Sequence, residues 1–293
     1  MAPTFAHRDH VLQAPDGARL SVRSCGPESG VPVVLIAGWP QTLHAWRAVQ
    51  EKLADAGIRS IALDPPGLGE SDPIGDAANY ATPEVARRMA AALALAGVDR
   101  FVLVGHDVGA WIAYAWASLM PQGIAGLMLQ DAAIPGAFPD GFLSIGNAAR
   151  VFQFAFNAVP ELPERLTRGR ERVYLDWLFE TKTRVAGAVT AEDISVYMRC
   201  YGQPERMSAG FNYYRAVPAS IDALNDVAPL TMPVLALGAE FGVGAMMGKV
   251  LEPRCTDLKS VVVAGSGHFI PEEAPDVVCR ELQALIARTS MPG

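Results

Sequence analysis

Short runs of mainly apolar residues recur along the chain and limit its fold more than any other feature of the sequence. Most are continuous rather than alternating with polar residues, which is typical of strands that are buried on both faces in a parallel sheet. The runs are VVLIA (33–37), IRSIALD (58–64), FVLVG (101–105), GLMLQ (126–130), PVLALG (233–238) and SVVVAG (260–265).

Two further strands are predicted near the start, HVLQA (10–14) and RLSVRS (19–24), joined by Pro15-Asp16-Gly17. A Pro-Asp-Gly sequence between two such runs favours a hairpin. Helices are predicted at 83–96, where Thr-Pro-Glu gives a typical helix start, and at 272–289. Alternating strands and helices predict an α/β fold with an eight-stranded, mostly parallel sheet.

The alternation stops over residues 134–218. This stretch has no clear buried-strand run, but it is rich in aromatic residues and in charge with helical spacing. We therefore expect a core formed by 1–133 and 219–293, and a helical cap inserted as 134–218.

Composition excludes several classes of protein. The chain has 293 residues, of which 51% are hydrophobic and 19% charged, so a disordered chain is excluded. A net charge of −7 argues against nucleic acid or an anionic membrane as the main partner. The uncharged stretch between Asp107 and Asp131 contains Pro and Gly and reads as a buried helix followed by a strand. We expect a soluble, cytoplasmic protein that has no metal site and needs no cofactor.

A strand–turn–helix sequence carries the chemistry. Gly105-His106-Asp107-Val108-Gly109 follows the strand FVLVG and precedes an apolar helix. Glycines on both sides permit a tight turn that holds the central side chain out at the end of the sheet. That side chain is Asp107, and a carboxylate attacks saturated carbon to leave an ester on the enzyme. An ordinary turn with a helix-capping Asp is the alternative.

Other loops after predicted strands add functional groups. Gly38-Trp39-Pro40 follows the first parallel strand, so the N–H groups of Trp39 and Val108 are candidates for an oxyanion hole. His268 follows the last strand and is the only histidine after residue 106. A capping or surface role is the alternative for this histidine.

Together these motifs resemble the α/β-hydrolases of the epoxide hydrolase and dehalogenase group. The resemblance covers nearly the whole chain. The cap sequence FNYYRA (211–216) and the terminal GSGHFIPEE (265–273) look most like the Cif-like epoxide hydrolases.

The resemblance implies a reaction in two steps. Asp107 opens a small hydrophobic epoxide to form a hydroxyalkyl ester, and His268 then activates a water that releases the diol. In most of the superfamily the third triad residue follows the seventh strand, where Glu240 stands, whereas the Cif-like group places it after the sixth strand, where Asp131 stands. We favour Asp131, and Glu240 remains open.

The cap is expected to supply donors to the epoxide oxygen. Tyr214 matches the cap tyrosine of epoxide hydrolases, and Tyr213 is the adjacent alternative. The usual second Tyr or His donor of the early cap is missing. Gln153 is the candidate donor in its place, and the alternative is that Gln153 is a polar residue on the outer face of its helix. Phe152 and Trp177 are candidates for an apolar substrate pocket, although such rings more often form the core of the cap.

The sequence departs from the family pattern at Ala37, where these enzymes commonly have a His that braces the oxyanion loop. Haloalkane and haloacid dehalogenases share the Asp–His machinery and remain an alternative. A non-catalytic binding protein with this fold is another. The sequence leaves the oligomeric state open, a homodimer included.

Overall fold

In the computed structural model, which describes residues 5–138 and 141–289, eight strands form one sheet in the order β1-β2-β4-β3-β5-β6-β7-β8. β1 and β2 pair antiparallel, β2 pairs antiparallel with β4, and every other pairing is parallel. The strands are β1 Arg8–Gln13, β2 Arg19–Cys25, β3 Val33–Ile36, β4 Ser60–Leu63, β5 Phe101–His106, β6 Ile124–Gln130, β7 Val234–Ala239 and β8 Leu258–Val263.

From β3 onward, helices fill every connection between successive strands. The α-helices are α1 Arg47–Asp55, α2 Thr82–Leu95, α3 Val108–Leu119, α4 Ala148–Ala158, α5 Leu162–Thr167, α6 Glu171–Lys182, α7 Ala191–Tyr201, α8 Pro204–Arg215, α9 Val217–Leu224, α10 Met246–Leu251, α11 Ile270–Glu273 and α12 Pro275–Thr289. Short 3-10 helices lie at Leu43–Trp46, Ala77–Tyr80, Ile145–Asn147 and Glu252–Arg254.

Helices cover both faces of the sheet, as the continuous apolar strands predicted. Neighbouring residues of β3 alternate between two apolar cores: Val34 and Ile36 pack on the side of α2 and α3, whereas Val33 and Leu35 pack on the side of α1 and α12. All residues of β3, β4, β5 and β7 are buried. β1 and β8 lie at the two edges of the sheet and are largely exposed.

The helix predicted over 272–289 is two helices. α11 ends at Glu273 and α12 begins at Pro275, with Ala274 between them in a non-helical conformation. Proline lacks the N–H that would continue the first helix and restricts the residue before it, which explains the break.

Between β6 and β7 the described chain forms six α-helices, α4 to α9, and none of its described residues joins the sheet. α7 and α8 lie over the carboxyl ends of the central strands. Tyr201 at the end of α7 donates its hydroxyl to the Gln41 carbonyl at 2.7 Å, and Tyr213 on α8 donates to the Pro66 carbonyl at 2.8 Å. The cavity between these helices and the strand ends is where the candidate site lies.

Candidate active site

Asp107 occupies a strained turn between β5 and α3. Its φ is 52° and its ψ is −123°, a conformation that a residue with a Cβ adopts only when its surroundings impose it. Gly105 and Gly109 make the turn possible, because a Cβ on Gly105 would lie 2.3 Å from the Gly109 carbonyl oxygen. The local sequence therefore forces the Asp107 side chain outward from the end of the sheet.

Two backbone amides face the Asp107 carboxylate. The Trp39 N–H donates to Oδ1 at 3.1 Å, and the Val108 N–H also acts on the carboxylate through a hydrogen bond. Gly38 allows this approach, because a Cβ there would lie 2.5 Å from the Asp107 Cβ. The candidate oxyanion donors predicted from sequence thus lie together beside the candidate nucleophile.

His268 lies between two carboxylates. Its Nε2 is 3.4 Å from Asp107 Oδ2, and its Nδ1 is 2.7 Å from Asp131 Oδ2. Asp131 follows β6, has a φ of 36°, and accepts the N–H groups of Ala239 and Val243 on its other oxygen at 2.9 and 2.7 Å. Asp131 is therefore fixed by the backbone and oriented toward the imidazole.

Glu240 does not contact His268. Its carboxylate accepts the Gly265 N–H at 2.7 Å, and its side chain is exposed. Of the two acids considered from sequence, the structure brings Asp131 and not Glu240 into contact with the imidazole.

The charges in this group reinforce one another. Burial disfavours protonation of His268, but its hydrogen bonds to Asp107 and Asp131 outweigh burial and raise its pKa to about 9. Burial would raise the pKa of Asp107, but hydrogen bonding to His268 and its charge hold that pKa below the ordinary value. The geometry therefore favours an ionised Asp107 next to a protonated His268.

His106 supports the loop that carries His268. Its Nε2 lies 2.8 Å from the His268 backbone carbonyl. Burial, followed by the positive charge of His268, lowers the pKa of His106 to about 4, so its ring is neutral near pH 7 and donates that hydrogen bond.

Tyr214 lies on the opposite side of the site, on α8. A small pocket next to Asp107 is lined by Tyr214, His268 and Gln153, among others. Burial, with the Asp107 charge added to it, raises the pKa of Tyr214 well above its ordinary value, so the phenol keeps its proton. Tyr213 instead donates its hydroxyl to Pro66 and packs on Tyr80, with ring centroids 5.1 Å apart.

A larger cavity of about 340 Å³ opens from Asp107 toward α4 and the loop after β7. Gln153 is buried and its Oε1 has no hydrogen-bond partner among the described residues. The full lining is Asp107, Asp131, Ala133, Gly141, Phe142, Asn147, Arg150, Val151, Gln153, Phe154, Thr181, Lys182, Phe241, Gly242, Val243, Met246 and His268.

Phe152 and Trp177 lie elsewhere. Their rings meet edge to face with centroids 4.8 Å apart, and they line a separate apolar groove on the outside of the cap helices. Successive residues of a helix point about 100° apart, so Gln153 on α4 faces the cavity while Phe152 faces the outer groove.

Two residues at the site were not singled out from the sequence. Lys182 lines both the small pocket and the larger cavity. Glu272 on α11 has a fully buried side chain that accepts hydrogen bonds from Gln41, Arg47 and Tyr197. Gln41 follows the loop that carries Trp39, so Glu272 and the Tyr201 hydroxyl hold that loop in place.

Metal ligands are not clustered in this region. Within residues 5–138 and 141–289, no group of three or more His, Cys, Asp or Glu side chains is placed to hold a metal ion. No described helix is both long and apolar enough to cross a lipid bilayer.

The architecture and the sequence have clear relatives. The family described as "alpha/beta hydrolase fold" matches residues 31–172. The chain is 38% identical to Cfl2 from Burkholderia cenocepacia, with a TM-score of 0.90 over 97% of this chain and 99% of that one. The chain belongs to the α/β-hydrolase superfamily.

The chain is also similar to proteins that are named epoxide hydrolases. The chain is 27% identical over 287 residues to the soluble epoxide hydrolase of Corynebacterium sp. (strain C12), covering 95% of this chain and 96% of that protein. It is 25% identical to the epoxide hydrolase CorEH, with a TM-score of 0.88 over 97% of this chain and 99% of that one. The fold, the superfamily and the hydrolase class expected from sequence are confirmed.

Proposed function

We propose that the protein is an epoxide hydrolase that converts an epoxide and water to a vicinal diol through an ester on Asp107. The observation that carries the proposal is the placement of His268, which lies 3.4 Å from Asp107 and 2.7 Å from Asp131. The family supports it, since several relatives are named epoxide hydrolases.

In the first step an Asp107 oxygen attacks a ring carbon and the C–O bond of the epoxide breaks. Tyr214 donates to the departing oxygen, which suits a buried phenol that keeps its proton. Esterification removes the Asp107 charge and with it one of the two carboxylates that hold the proton on His268. The proton on His268 ends on that oxygen while Tyr214 is hydrogen-bonded to it, so the ester carries a hydroxyl group and the imidazole is left neutral.

In the second step His268 accepts a proton from water, and the water oxygen attacks the ester carbonyl of Asp107. The N–H groups of Trp39 and Val108 stabilise the tetrahedral oxyanion. When the intermediate collapses, the leaving diol takes the proton of the hydroxyl that water supplied. Asp107 is then again ionised beside a protonated His268. Protons therefore balance over the cycle. Asp131 keeps the imidazole oriented and compensates its charge.

The test is the intact-protein mass of His268→Gln after separate incubation with pooled epoxides, haloalkanes and haloacetates. Without the base, the ester on Asp107 accumulates, so we expect an increase equal to the whole mass of an epoxide. Peptide mapping places the adduct on Asp107, and the double variant with Asp107→Asn is the matched control and stays unmodified.

Each other outcome favours a different function. An adduct equal to a halide substrate minus hydrogen halide would assign the site to a dehalogenase. No adduct from any pool, in a variant that folds normally, would favour a binding protein.

A further inference from the structure

Two cationic side chains line the cavity next to Asp107 without a carboxylate partner among the described residues. Lys182 lies at the end of α6 and Arg150 on α4. In the described part of the chain the Lys182 ammonium forms no hydrogen bond or ion pair, and the Arg150 guanidinium donates only to the Gly242 carbonyl.

The acids of the cavity are already satisfied. Of the described residues that line it, only Asp107 and Asp131 are acidic. Asp107 accepts from Trp39 and faces His268, and Asp131 accepts from Ala239, Val243 and His268. Neither acid is a direct ion-pair partner of the two cations.

A cation in such a place is costly without a partner. Lys182 is only partly exposed, and desolvation lowers its pKa to about 8 even though the charges of Asp107 and Asp131 act in the opposite direction. Buried charged side chains in proteins are normally paired with a group of opposite charge. An anionic group on the ligand would supply that partner at the cavity wall.

The rest of the cavity suits an apolar body. Phe142, Phe154, Val151, Val243 and Met246 line it, and its volume of about 340 Å³ exceeds that needed by a two-carbon acid. We infer that the substrate is an epoxide with an apolar body and a carboxylate, and that Lys182, with Arg150 nearer the mouth, binds the carboxylate. This inference rests on the proposed function and narrows its substrate class.

The first test compares each epoxy acid with its own neutral carboxamide. Suitable probes carry the carboxylate one, three or five carbons from the ring, beginning with 3-phenyloxirane-2-carboxylate. Wild type is expected to show higher kcat/KM for the acid than for the amide in at least one pair. Lys182→Met is expected to lower that acid-to-amide ratio about 10- to 100-fold, which corresponds to one charged hydrogen bond.

Controls separate charge recognition from other roles of Lys182. Lys182→Arg keeps the charge and should retain most of the acid preference. Lys249→Met removes the same charge from an exposed position outside the cavity and should leave the ratio unchanged. Arg150→Met should lower the ratio less than Lys182→Met, because Arg150 is exposed and solvent screens its charge.

Two results would overturn the inference. One is an amide preference, or no preference, in every pair. The other is an equal loss for acid and amide in Lys182→Met, which would make Lys182 a donor to the ring oxygen instead.

A second measurement separates this inference from the proposed function. Calorimetric binding of 3-phenylpropanoate and 3-phenylpropanamide needs no turnover. Carboxylate binding that is lost in Lys182→Met would support the anion site even if no epoxide were hydrolysed. Turnover of amides alone would leave the proposed function intact but contradict the anion site. Equal binding of the two ligands would also contradict the anion site.

Discussion

Asp131 contacts His268 from the end of β6. One of its oxygens accepts two backbone N–H groups and the other faces the imidazole, so the side chain is fixed in that position. Replacing it with Asn keeps the shape but removes the charge that orients and stabilises the imidazolium. We expect Asp131→Asn to lower the rate of diol formation by about 10²–10⁴. Single-turnover kinetics should show the larger loss in hydrolysis of the ester.

The matched control is Glu240→Gln, since Glu240 accepts only the Gly265 N–H and lies outside contact with the imidazole. It should change turnover by less than about threefold, against the loss of about 10²–10⁴ expected for Asp131→Asn. A larger loss from Glu240→Gln than from Asp131→Asn would move the acid role to Glu240.

The His268 ion pairs also predict how stability depends on pH. The folded-state pKa of His268 is raised from 6.5 to about 9, so folding favours the protonated ring. The resulting stability is fully present below pH 6.5 and is lost as the pH rises toward 9. We therefore expect the free energy of unfolding of wild type to exceed that of His268→Gln most near pH 6, and this excess to shrink toward pH 9.

Urea denaturation at several pH values measures this difference. His10→Gln, on the exposed strand β1, is the control and should follow wild type at every pH. A difference that grows with pH between 6.5 and 9 would contradict the ion pairing of His268.

At the scale of elements, α8 packs against the oxyanion loop through a glycine. A Cβ on Gly210 would lie 2.2 Å from Nε1 of the buried Trp39. Glycine to alanine within a helix ordinarily stabilises by about 0.5–1 kcal/mol, but here the clash should dominate. We expect Gly210→Ala to lower both the melting temperature and kcat, because Trp39 carries one of the proposed oxyanion donors.

Gly146→Ala is the matched control, since nothing lies within 4 Å of its added Cβ. It should leave the melting temperature and kcat close to those of wild type. If Gly210→Ala were as stable and active as this control, the contact between α8 and the Trp39 loop would not be tight.

These elements also show how far sequence reasoning reaches. The turn at Asp107 was predictable because Gly105 and Gly109 act within five residues of chain. The family resemblance favoured Tyr214 over Tyr213, but the residues alone did not decide between them, because both lie on a buried helix and its rotation against the core decides which ring meets the cavity. Lys182 is the last residue of a charged helix whose sequence is typical of a solvent-exposed helix. Only the packing of α6 against the His268 loop, which is far away in sequence, places it beside Asp107.

At the scale of the whole molecule, the inserted helices are tied unevenly to the core. Arg206 on α8 donates to the carbonyls of Gly69 and Ser71 at 2.6 and 2.8 Å, joining the insertion to the loop after β4. On α4, Arg150 contacts the loop after β7 from an exposed position. We expect slower hydrogen exchange in α8 than in α4.

Removing the α8 connection should loosen the insertion as a unit. Arg206→Met leaves two carbonyls without their charged donor and should lower the free energy of unfolding by about 1.5–3 kcal/mol. Arg199→Met, an exposed position on α7, is the control. Denaturant unfolding measures the cost, and hydrogen exchange should locate the faster amides in α8 and its neighbours. Equal behaviour of the two variants would mean that other contacts hold the insertion.

The turn at Asp107 has a consequence for how such a protein persists. At its φ of 52° glycine is unstrained, whereas aspartate is strained because it has a Cβ. Random mutation toward glycine at this codon would therefore relieve strain while it removed the proposed nucleophile. Selection for folding alone would therefore not favour a carboxylate at this position.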